Sequence, residues 1–397
     1  MINNFYLIIL IVIISSSLFY YRRFIKVKIN WFLCSTLYFF NKFKTSQILV
    51  NQINYKIYNY NLFNSFKTLK NNDYILYQYF KEQFIKIHKI STNIINDKDT
   101  NDESLKKIIN IKNFNYLKIP LQLNLSYFKY TSTIISKLRK KNFIIEEIEF
   151  VIMKLNIKFK IIHIYKVNKD SFNYGVICLP GSSSNYQNMI DKSLIDYGQN
   201  FPLKFVEKNF SVIIPIMPSQ INLLNSLDLL LREKNLTMLG FYQIINIISC
   251  RFLLNELNIK NIGFAGISVG SHIPLITISL LKNVDFYYSS CGLKDLHKDL
   301  FVENISKNPL NFLIYGFYEV FKKFNYISIF SSIFKGKIII DIGIDDKVTK
   351  NWKKTIEIIL KSRNFKNILF FIHKGGHQFS NRVVLEKAIK FIKKNEK

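Results

Sequence analysis

The sequence predicts an α/β protein whose mostly parallel central sheet is covered by helices on both faces. From about residue 144, short apolar strands alternate with stretches that are apolar at helical spacing, the pattern of a parallel sheet buried on both sides. Upstream, residues 42–142 are irregularly amphipathic and rich in Lys, Asn and Tyr, and an uncharged apolar run lies near the N-terminus. We therefore expect three regions: a membrane anchor with a basic flank (1–28), a mainly helical region (29–143) and an α/β domain (144–397).

The N-terminal apolar run, residues 5–21, begins at Phe5, ends at Tyr21 and contains no charged residue. It is at the short end of what crosses a bilayer as a helix. Four basic residues follow it, namely Arg22, Arg23, Lys26 and Lys28. Positive charge on this side predicts a single-pass anchor with the rest of the chain on the cytoplasmic side. The alternative is a cleaved signal peptide and a secreted or lumenal protein. The absence of Lys or Arg before the run and of an Ala-x-Ala site after it favours the anchor.

The composition describes a chain of 397 residues that is 49% hydrophobic and carries a net charge of +29. A chain of this length can bury a sizeable core. Strong positive charge is typical of nucleic-acid or anionic-membrane binding, although a bias towards residues of A/T-rich codons accounts for part of the lysine excess. The sequence contains no recognisable nucleic-acid-reading module. We therefore expect no nucleic-acid partner, and the charge favours association with a membrane surface.

The cysteines, Cys34, Cys178, Cys250 and Cys291, are widely spaced and lie in or beside apolar runs. There is no Cys-x-x-Cys pair. This pattern predicts small buried side chains and neither a disulfide framework nor a metal site. The sequence also predicts no cofactor.

Within residues 144–397 the predicted elements follow one another in a regular order. Two β-type runs at 148–157 and 159–167 come first. Further strands are predicted at 174–179, 211–216, 261–265, 284–289, 337–342 and 367–372. Helices are predicted at 201–209, 241–257, 273–282, 349–362 and 383–394. An aromatic insert at about 293–335 interrupts the alternation at a place where a lid is expected.

The pentapeptide Gly266-Ile-Ser-Val-Gly270 follows a predicted strand and precedes a predicted helix. A Gly-x-Ser-x-Gly sequence in this context predicts a sharp turn that holds its serine at positive φ. The neighbours two residues away must be small, because the backbone doubles back on itself. Such a turn would present the hydroxyl of Ser268 and aim the amide of Val269 at a developing oxyanion. The chain has only 13 glycines and none before Gly175, which argues against chance.

A nucleophilic serine needs a base and an orienting acid. In a parallel sheet both should follow later strands, because the carboxyl ends of those strands share one edge. Asp346 stands in the turn after the strand at 337–342, with Asp345 as a direct alternative. His377 follows two glycines after the last strand. His373, which ends that strand, is the alternative base and is more consistent with a packing or capping residue.

A second oxyanion donor is expected after the strand at 174–179, where Pro180-Gly181 opens a turn. The amide of Ser182 would pair with that of Val269. Residues 182–185, Ser-Ser-Ser-Asn, also suit a helix N-cap. The two interpretations are compatible.

With Ser268, Asp346 and His377 in this order, residues 144–397 resemble the α/β-hydrolase superfamily. The resemblance implies that Ser268 is the acylated nucleophile, His377 the general base and acid, and Asp346 the orienting acid. The Gly-Ile-Ser-x-Gly motif is similar to that of esterases and acyl hydrolases in the dienelactone-hydrolase and acyl-peptidase branches. Where many members have His-Gly, this chain has Pro180-Gly181, which leaves the second oxyanion donor less defined.

Two functions follow as expectations. The first is a membrane-anchored serine hydrolase that cleaves a carboxylic ester of a small molecule or a lipid. The aromatic insert and the anchor favour a lipid-like substrate. A peptidase, thioesterase or acyltransferase is possible within the same chemistry. The second is a non-catalytic membrane scaffold with the same fold, suggested by the long N-terminal region and the positive charge.

Overall fold

The computed structural model describes Tyr79, Glu82 and residues 129–394 with gaps. The gaps are 154–156, 168–170, 182–183, 192–196, 218–226, 228–237, 282, 293–333, 347–356, 358–359, 362–366 and 381. The predicted anchor at 5–21, its basic flank, nearly all of 29–128 and the insert up to residue 333 lie outside the described residues. So does the helix predicted at 349–362, except for residues 357, 360 and 361. None of the helices in the described part is both long and apolar enough to cross a membrane.

The described residues form one nine-stranded sheet. In chain order the strands are β1 (Tyr130–Arg139), β2 (Phe143–Ile152), β3 (Ile157–Lys166), β4 (Tyr174–Leu179), β5 (Ser211–Pro215), β6 (Asn261–Ile267), β7 (Phe286–Ser290), β8 (Lys337–Gly343) and β9 (Ile368–His373). Their spatial order is β1-β2-β3-β5-β4-β6-β7-β8-β9. The first three strands pair antiparallel, as does β3 with β5. From β5 to β9 all neighbours run parallel, so the sheet is mixed with a parallel majority.

Burial along the strands explains the sequence pattern of each. Every residue of β4, β5 and β7 is buried, as expected for parallel strands covered on both faces. In β2, buried and partly buried residues alternate over its second half, which is typical of a strand near a sheet edge. β1 is the edge strand and is almost wholly exposed. The sheet therefore begins before the predicted boundary at residue 144, within the region expected to be mainly helical.

Five α-helices are described, and their bounds are α1 (Tyr186–Ile190), α2 (Phe201–Glu207), α3 (Met238–Arg251), α4 (Pro274–Leu280) and α5 (Arg382–Lys393). A π-helical turn, Phe252–Glu256, continues α3. Where described, the later strands and helices (α3 taken with its π-helical turn) begin and end within three residues of their predicted positions. The first predicted run, 148–157, is the exception, because β2 begins and ends five residues earlier.

The helices cover both faces of the sheet, as predicted. The ammonium group of Lys393 on α5 lies 5.1 Å from the ring centre of Tyr174 on β4. A Cβ placed on the next residue, Gly175, would lie 3.0 Å from Leu253 in the π-helical turn after α3. Successive residues of a strand point to opposite faces, so α5 and the end of α3 lie on opposite sides. Because β5 and β6 flank β4 on opposite sides, the chain order reverses at β4, where open α/β sheets place their ligand crevices.

Candidate active site

The turn after β6 has the strained geometry that the sequence predicts. Ser268 is partly exposed, has φ of +54° and opens a short 3₁₀ helix. A Cβ on Gly266 would lie 2.2 Å from the carbonyl oxygen of Gly270, and one on Gly270 would lie 2.4 Å from that of Leu179. Real side chains do not approach backbone this closely, so both positions require glycine. Positive φ at a serine is unusual and typically persists only where the surroundings enforce it.

Contacts on both sides fix the backbone of this turn. The hydroxyl of Ser271 donates to the carbonyl of Gly266 over 2.8 Å. The hydroxyl of Tyr287 on β7 donates to the carbonyl of Ser271. A Cβ on Gly292 would lie 2.3 Å from the carbonyl oxygen of Ser268. The chain that leaves β7 therefore passes directly beside the turn. These contacts hold the backbone that carries the Ser268 side chain.

The loops after β8 and β9 bring together the predicted acid and base. Nδ1 of His377 lies 3.0 Å from Oδ2 of Asp346. The Asp346 side chain is fully buried, whereas that of His377 is 22% exposed. A carboxylate at Nδ1 keeps the proton on that nitrogen and leaves Nε2 as the basic nitrogen. The tautomer is inferred from this contact.

The structure distinguishes the predicted acid and the predicted base from their alternatives. Asp345 is exposed, and its amide donates to the carbonyl of Gly375 over 3.0 Å. Asp346, one residue on, is the carboxylate that faces His377. His373 is buried and lies beside a different carboxylate, with Nδ1 3.3 Å from Oδ1 of Asp341. It packs at the end of β9, in agreement with the reading of His373 as a packing residue.

The end of β7 connects the serine turn to this pair. The sulfur of Cys291 and the ligand atoms of Asp346 and His377 all lie within 4.8 Å of one another. The next residue, Gly292, adjoins Ser268. Within the described residues no hydrogen bond joins the Ser268 hydroxyl to the His377 ring. Such bonds are often long in enzymes without substrate and tighten when substrate binds.

Cys291 is the one thiol of the described residues beside this histidine, but it is poorly suited to be the nucleophile. Burial raises the pKa of the Cys291 thiol above its ordinary range, and the charges of Asp341 and Asp346 raise it further. The sulfur already accepts from the amide of Gly343 over 3.4 Å and approaches the carbonyl of Gln378 at 3.2 Å. A protonated, internally bonded thiol leaves Ser268 as the candidate nucleophile.

The two candidate oxyanion donors differ in what the structure describes. Val269 is the second residue of the 3₁₀ helix, where backbone N–H groups have no partner within the helix. Ser182 lies outside the described residues. On either side of it, the amide of Ser184 donates to the carbonyl of Gly181 over 3.2 Å. Asn185 caps α1 by accepting from the Asn188 amide over 2.9 Å, which confirms the capping interpretation of this segment.

Tyr197 is a neighbour of the histidine that the sequence did not reveal. Its ring lies nearly parallel to that of His377, with ring centres 5.8 Å apart and planes inclined by 22°. Its carbonyl accepts from the amide of Phe379 over 2.8 Å. A Cβ on Gly181 would lie 1.5 Å from its hydroxyl oxygen. Tyr197 therefore connects the histidine loop to the predicted oxyanion turn, but it lies between α1 and α2 without any motif to distinguish it from the other tyrosines.

No protein-family model matches the sequence, and no curated protein matches it. Solved structures match it in fold. A protein from Bacteroides fragilis named as an acetyl xylan esterase superimposes with a TM-score of 0.52 at 13% identity, covering 72% of this chain and 81% of its own. The chain has an α/β-hydrolase fold. Acetyl xylan esterase 1 from a Thermoanaerobacterium species gives a TM-score of 0.49 at 16% identity, covering 75% of this chain and all (100%) of its own.

In the α/β-hydrolase fold, the nucleophile, acid and histidine occur in that order along the chain. Ser268, Asp346 and His377 follow β6, β8 and β9 in this order. These strands lie on one side of the order reversal at β4, and their carboxyl ends share one edge of the sheet. The fold therefore brings a serine turn and an imidazole held by a buried carboxylate to one edge of the sheet.

Proposed function

We propose that the protein is a serine hydrolase that cleaves a carboxylic ester through an acyl-enzyme on Ser268. The observation that carries the proposal is the 3.0 Å contact between His377 and the buried carboxylate of Asp346, in a chain whose Ser268 is held at positive φ. A histidine–aspartate pair that only stabilised the fold would not explain a strained serine turn at the same edge of the sheet. The similarity in fold to a protein named as an acetyl xylan esterase supports an ester as the substrate.

The reaction follows from these groups. As Ser268 Oγ attacks the ester carbonyl, its proton moves to Nε2 of His377, and the imidazolium is stabilised by the Asp346 carboxylate. The amides of Val269 and Ser182 are the proposed donors to the oxyanion of the tetrahedral intermediate. Collapse of the intermediate breaks the carbonyl–alkoxy bond, and His377 returns the proton to the departing alcohol. Water, deprotonated by the same histidine, then releases the acid and restores the serine.

We also propose that residues 5–21 anchor the enzyme in a membrane, with the catalytic domain on the cytoplasmic side. The support is the uncharged run followed by four basic residues. An anchored enzyme would meet lipid-like or membrane-dissolved esters at high local concentration. The test is carbonate extraction of membranes with protease protection. An anchored protein stays in the pellet with an intact N-terminus, whereas release by carbonate or a mature N-terminus after residue 21 contradicts the anchor.

The activity is tested with the purified full-length protein in detergent on p-nitrophenyl esters of increasing acyl length. The wild type is expected to hydrolyse at least one ester, and Ser268→Ala to lower kcat by at least about 10³-fold, as for other serine nucleophiles. Ser132→Ala, on the exposed strand β1, is the matched control. Activity of Ser268→Ala at the wild-type level would contradict the assignment of Ser268 as the nucleophile. A folded wild type without turnover of esters, thioesters or peptides would favour the non-catalytic scaffold.

A further inference from the structure

A second, buried acid–histidine pair shares the neighbour Cys291 with the proposed catalytic pair. The side chains of Asp341 on β8 and His373 on β9 are 0% and 1% exposed, and Nδ1 of His373 lies 3.3 Å from Oδ1 of Asp341. The sulfur of Cys291, just after β7, completes a set in which all three ligand atoms lie within 4.8 Å of one another. The three residues lie on or just after three adjacent strands. Because they are far apart in the sequence, they do not form a recognisable metal-binding motif, and the sequence predicted no metal site.

Polar atoms of this set lack the partners that burial demands. Oδ1 of Asp341 accepts from the Ser290 hydroxyl over 2.8 Å. The Asp341 carboxylate also faces the hydroxyl of Tyr288. In the described part of the chain, however, both ring nitrogens of His373 have no hydrogen-bond partner. Buried polar side chains are normally paired, and exceptions commonly mark an ion or a water. An imidazole with two unpaired nitrogens beside a carboxylate and a thiol is a typical set of metal ligands.

We propose that Cys291, Asp341 and His373 bind one Zn²⁺. Sulfur, nitrogen and carboxylate oxygen are the ligands that zinc takes in proteins, whereas Ca²⁺ and Mg²⁺ prefer oxygen alone. Bonds of about 2.0 Å in a tetrahedral site place two such ligand atoms about 3.3 Å apart, which matches the Asp341–His373 contact. A thiolate and a carboxylate would also neutralise the charge of the ion, as a buried site requires.

The surroundings of the sulfur fit this assignment. The amide of Gly343 points at Sγ of Cys291 over 3.4 Å, and hydrogen bonds of this kind orient metal ligands. The sulfur also approaches the carbonyl of Gln378 at 3.2 Å, the geometry of an S–H donor. Binding replaces the S–H bond by an S–Zn bond and releases one proton.

The competing set is Cys291 with Asp346 and His377, whose ligand atoms also lie within 4.8 Å of one another. There the carboxylate and imidazole already hydrogen-bond to each other. The unpaired atoms belong to the inner set, which therefore offers the better site. A zinc ion held there, with water as its fourth ligand, would join the ends of β7, β8 and β9 next to the proposed catalytic pair, with which the set shares Cys291.

The test is the zinc content of full-length protein purified without an affinity tag from zinc-supplemented cells, dialysed and measured by mass spectrometry of the metal. One zinc per chain is expected in the wild type, in Ser268→Ala and in the control Cys250→Ser, a buried cysteine elsewhere. Cys291→Ser and His373→Gln should each lose most of it. Because Ser268→Ala abolishes the proposed chemistry but keeps the metal, failure of one proposal is distinguishable from failure of the other.

Cobalt substitution tests the ligands without any need for a stable variant. Co²⁺-loaded wild type should show a thiolate-to-cobalt charge-transfer band and the intense visible bands of a four-coordinate site. Metal-free wild type after incubation with zinc overturns the proposal, as does a cobalt spectrum without the thiolate band. Zinc that is lost in Asp346→Asn but retained in His373→Gln would assign the metal to the outer set and would also overturn it.

Discussion

The ring of Tyr197 lies nearly parallel to the imidazole of His377, 5.8 Å from it, while its hydroxyl adjoins Gly181. As His377 takes the serine proton it becomes a cation, and the face of an aromatic ring attracts a cation by about 0.5–1 kcal/mol at a partly exposed site. Tyr197→Leu is therefore expected to lower kcat about two- to fivefold with little change in KM. Steady-state kinetics on the best ester measures both.

Tyr197→Phe is the matched variant, because it keeps the ring and removes only the hydroxyl. It should retain more activity than Tyr197→Leu. Equal losses in the two variants would show that the hydroxyl beside Gly181, and not the stacked ring, is what matters.

Two adjacent aspartates offer a test of which carboxylate orients the histidine. Asp346→Asn should lower kcat by about 10³- to 10⁴-fold, because the amide favours the wrong tautomer of His377. Asp345→Asn should stay within about twofold, since Asp345 is exposed and its described contact is made by its backbone. The measurement is kcat for both variants beside the wild type. A larger loss in Asp345→Asn would reverse the assignment.

The close approach of backbone at Gly266 predicts an effect on stability. Gly266→Ala places a Cβ 2.2 Å from the carbonyl oxygen of Gly270, so the turn must distort. We expect a loss of about 1–3 kcal/mol in the free energy of unfolding, measured by denaturant titration. At Gly376 the nearest atom to a Cβ lies 4.0 Å away, and Gly376→Ala should leave the stability nearly unchanged. Equal stability of the two variants would contradict the tight geometry of the turn.

A buried cluster far from the site predicts how stability depends on pH. The carboxylate of Glu146 lies 3.4 Å from Nδ1 of His163, 2.7 Å from Lys137 and 3.0 Å from the hydroxyl of Tyr165. These neighbours, His163 foremost, lower the pKa of Glu146 to about 2 from its ordinary 4.5. Burial lowers the pKa of His163 below 6.5, and its Nε2 lies 2.9 Å from the hydroxyl of Ser211.

Both shifts make acid destabilising. A histidine whose pKa is lower in the folded state costs stability as the pH falls below 6.5. A carboxyl whose folded pKa is about 2 stabilises the fold above 4.5, and this contribution is lost between 4.5 and about 2. The unfolding temperature of the wild type should therefore fall steadily below about pH 6.5. Glu146→Gln should remove part of the decline below pH 4.5, while Glu147→Gln, on the less buried side of β2, keeps it. Identical profiles for all three proteins would refute this role of Glu146.

Much of the fold was predictable because its signals are local. The apolar run of β4 is buried along its whole length, so its sequence carries no polar interruption. The positive φ of Ser268 followed from its glycine neighbours, and the meeting of Asp346 and His377 followed from their positions at the ends of two adjacent parallel strands. These inferences need only chain order and the rule that parallel strands share their carboxyl edge.

The features that were missed depend on three-dimensional register. β1 (Tyr130–Arg139) mixes polar and apolar residues without alternation because it is an exposed edge, so its sequence resembles the segment before it. Tyr197 reaches His377 from an irregular connection. Asp341 and His373 meet because residue 343 of β8 pairs with residue 373 of β9, a register that the sequence does not display.

The central claim, that Ser268 is an activated nucleophile, is tested most directly by labelling the purified protein with a fluorophosphonate and mapping the adduct by mass spectrometry. The adduct is expected on Ser268 alone, to disappear in Ser268→Ala, and to form much more slowly in His377→Gln, because the histidine takes the serine proton. Labelling at wild-type rate in Ser268→Ala, or an adduct mapped to another residue, would contradict the account.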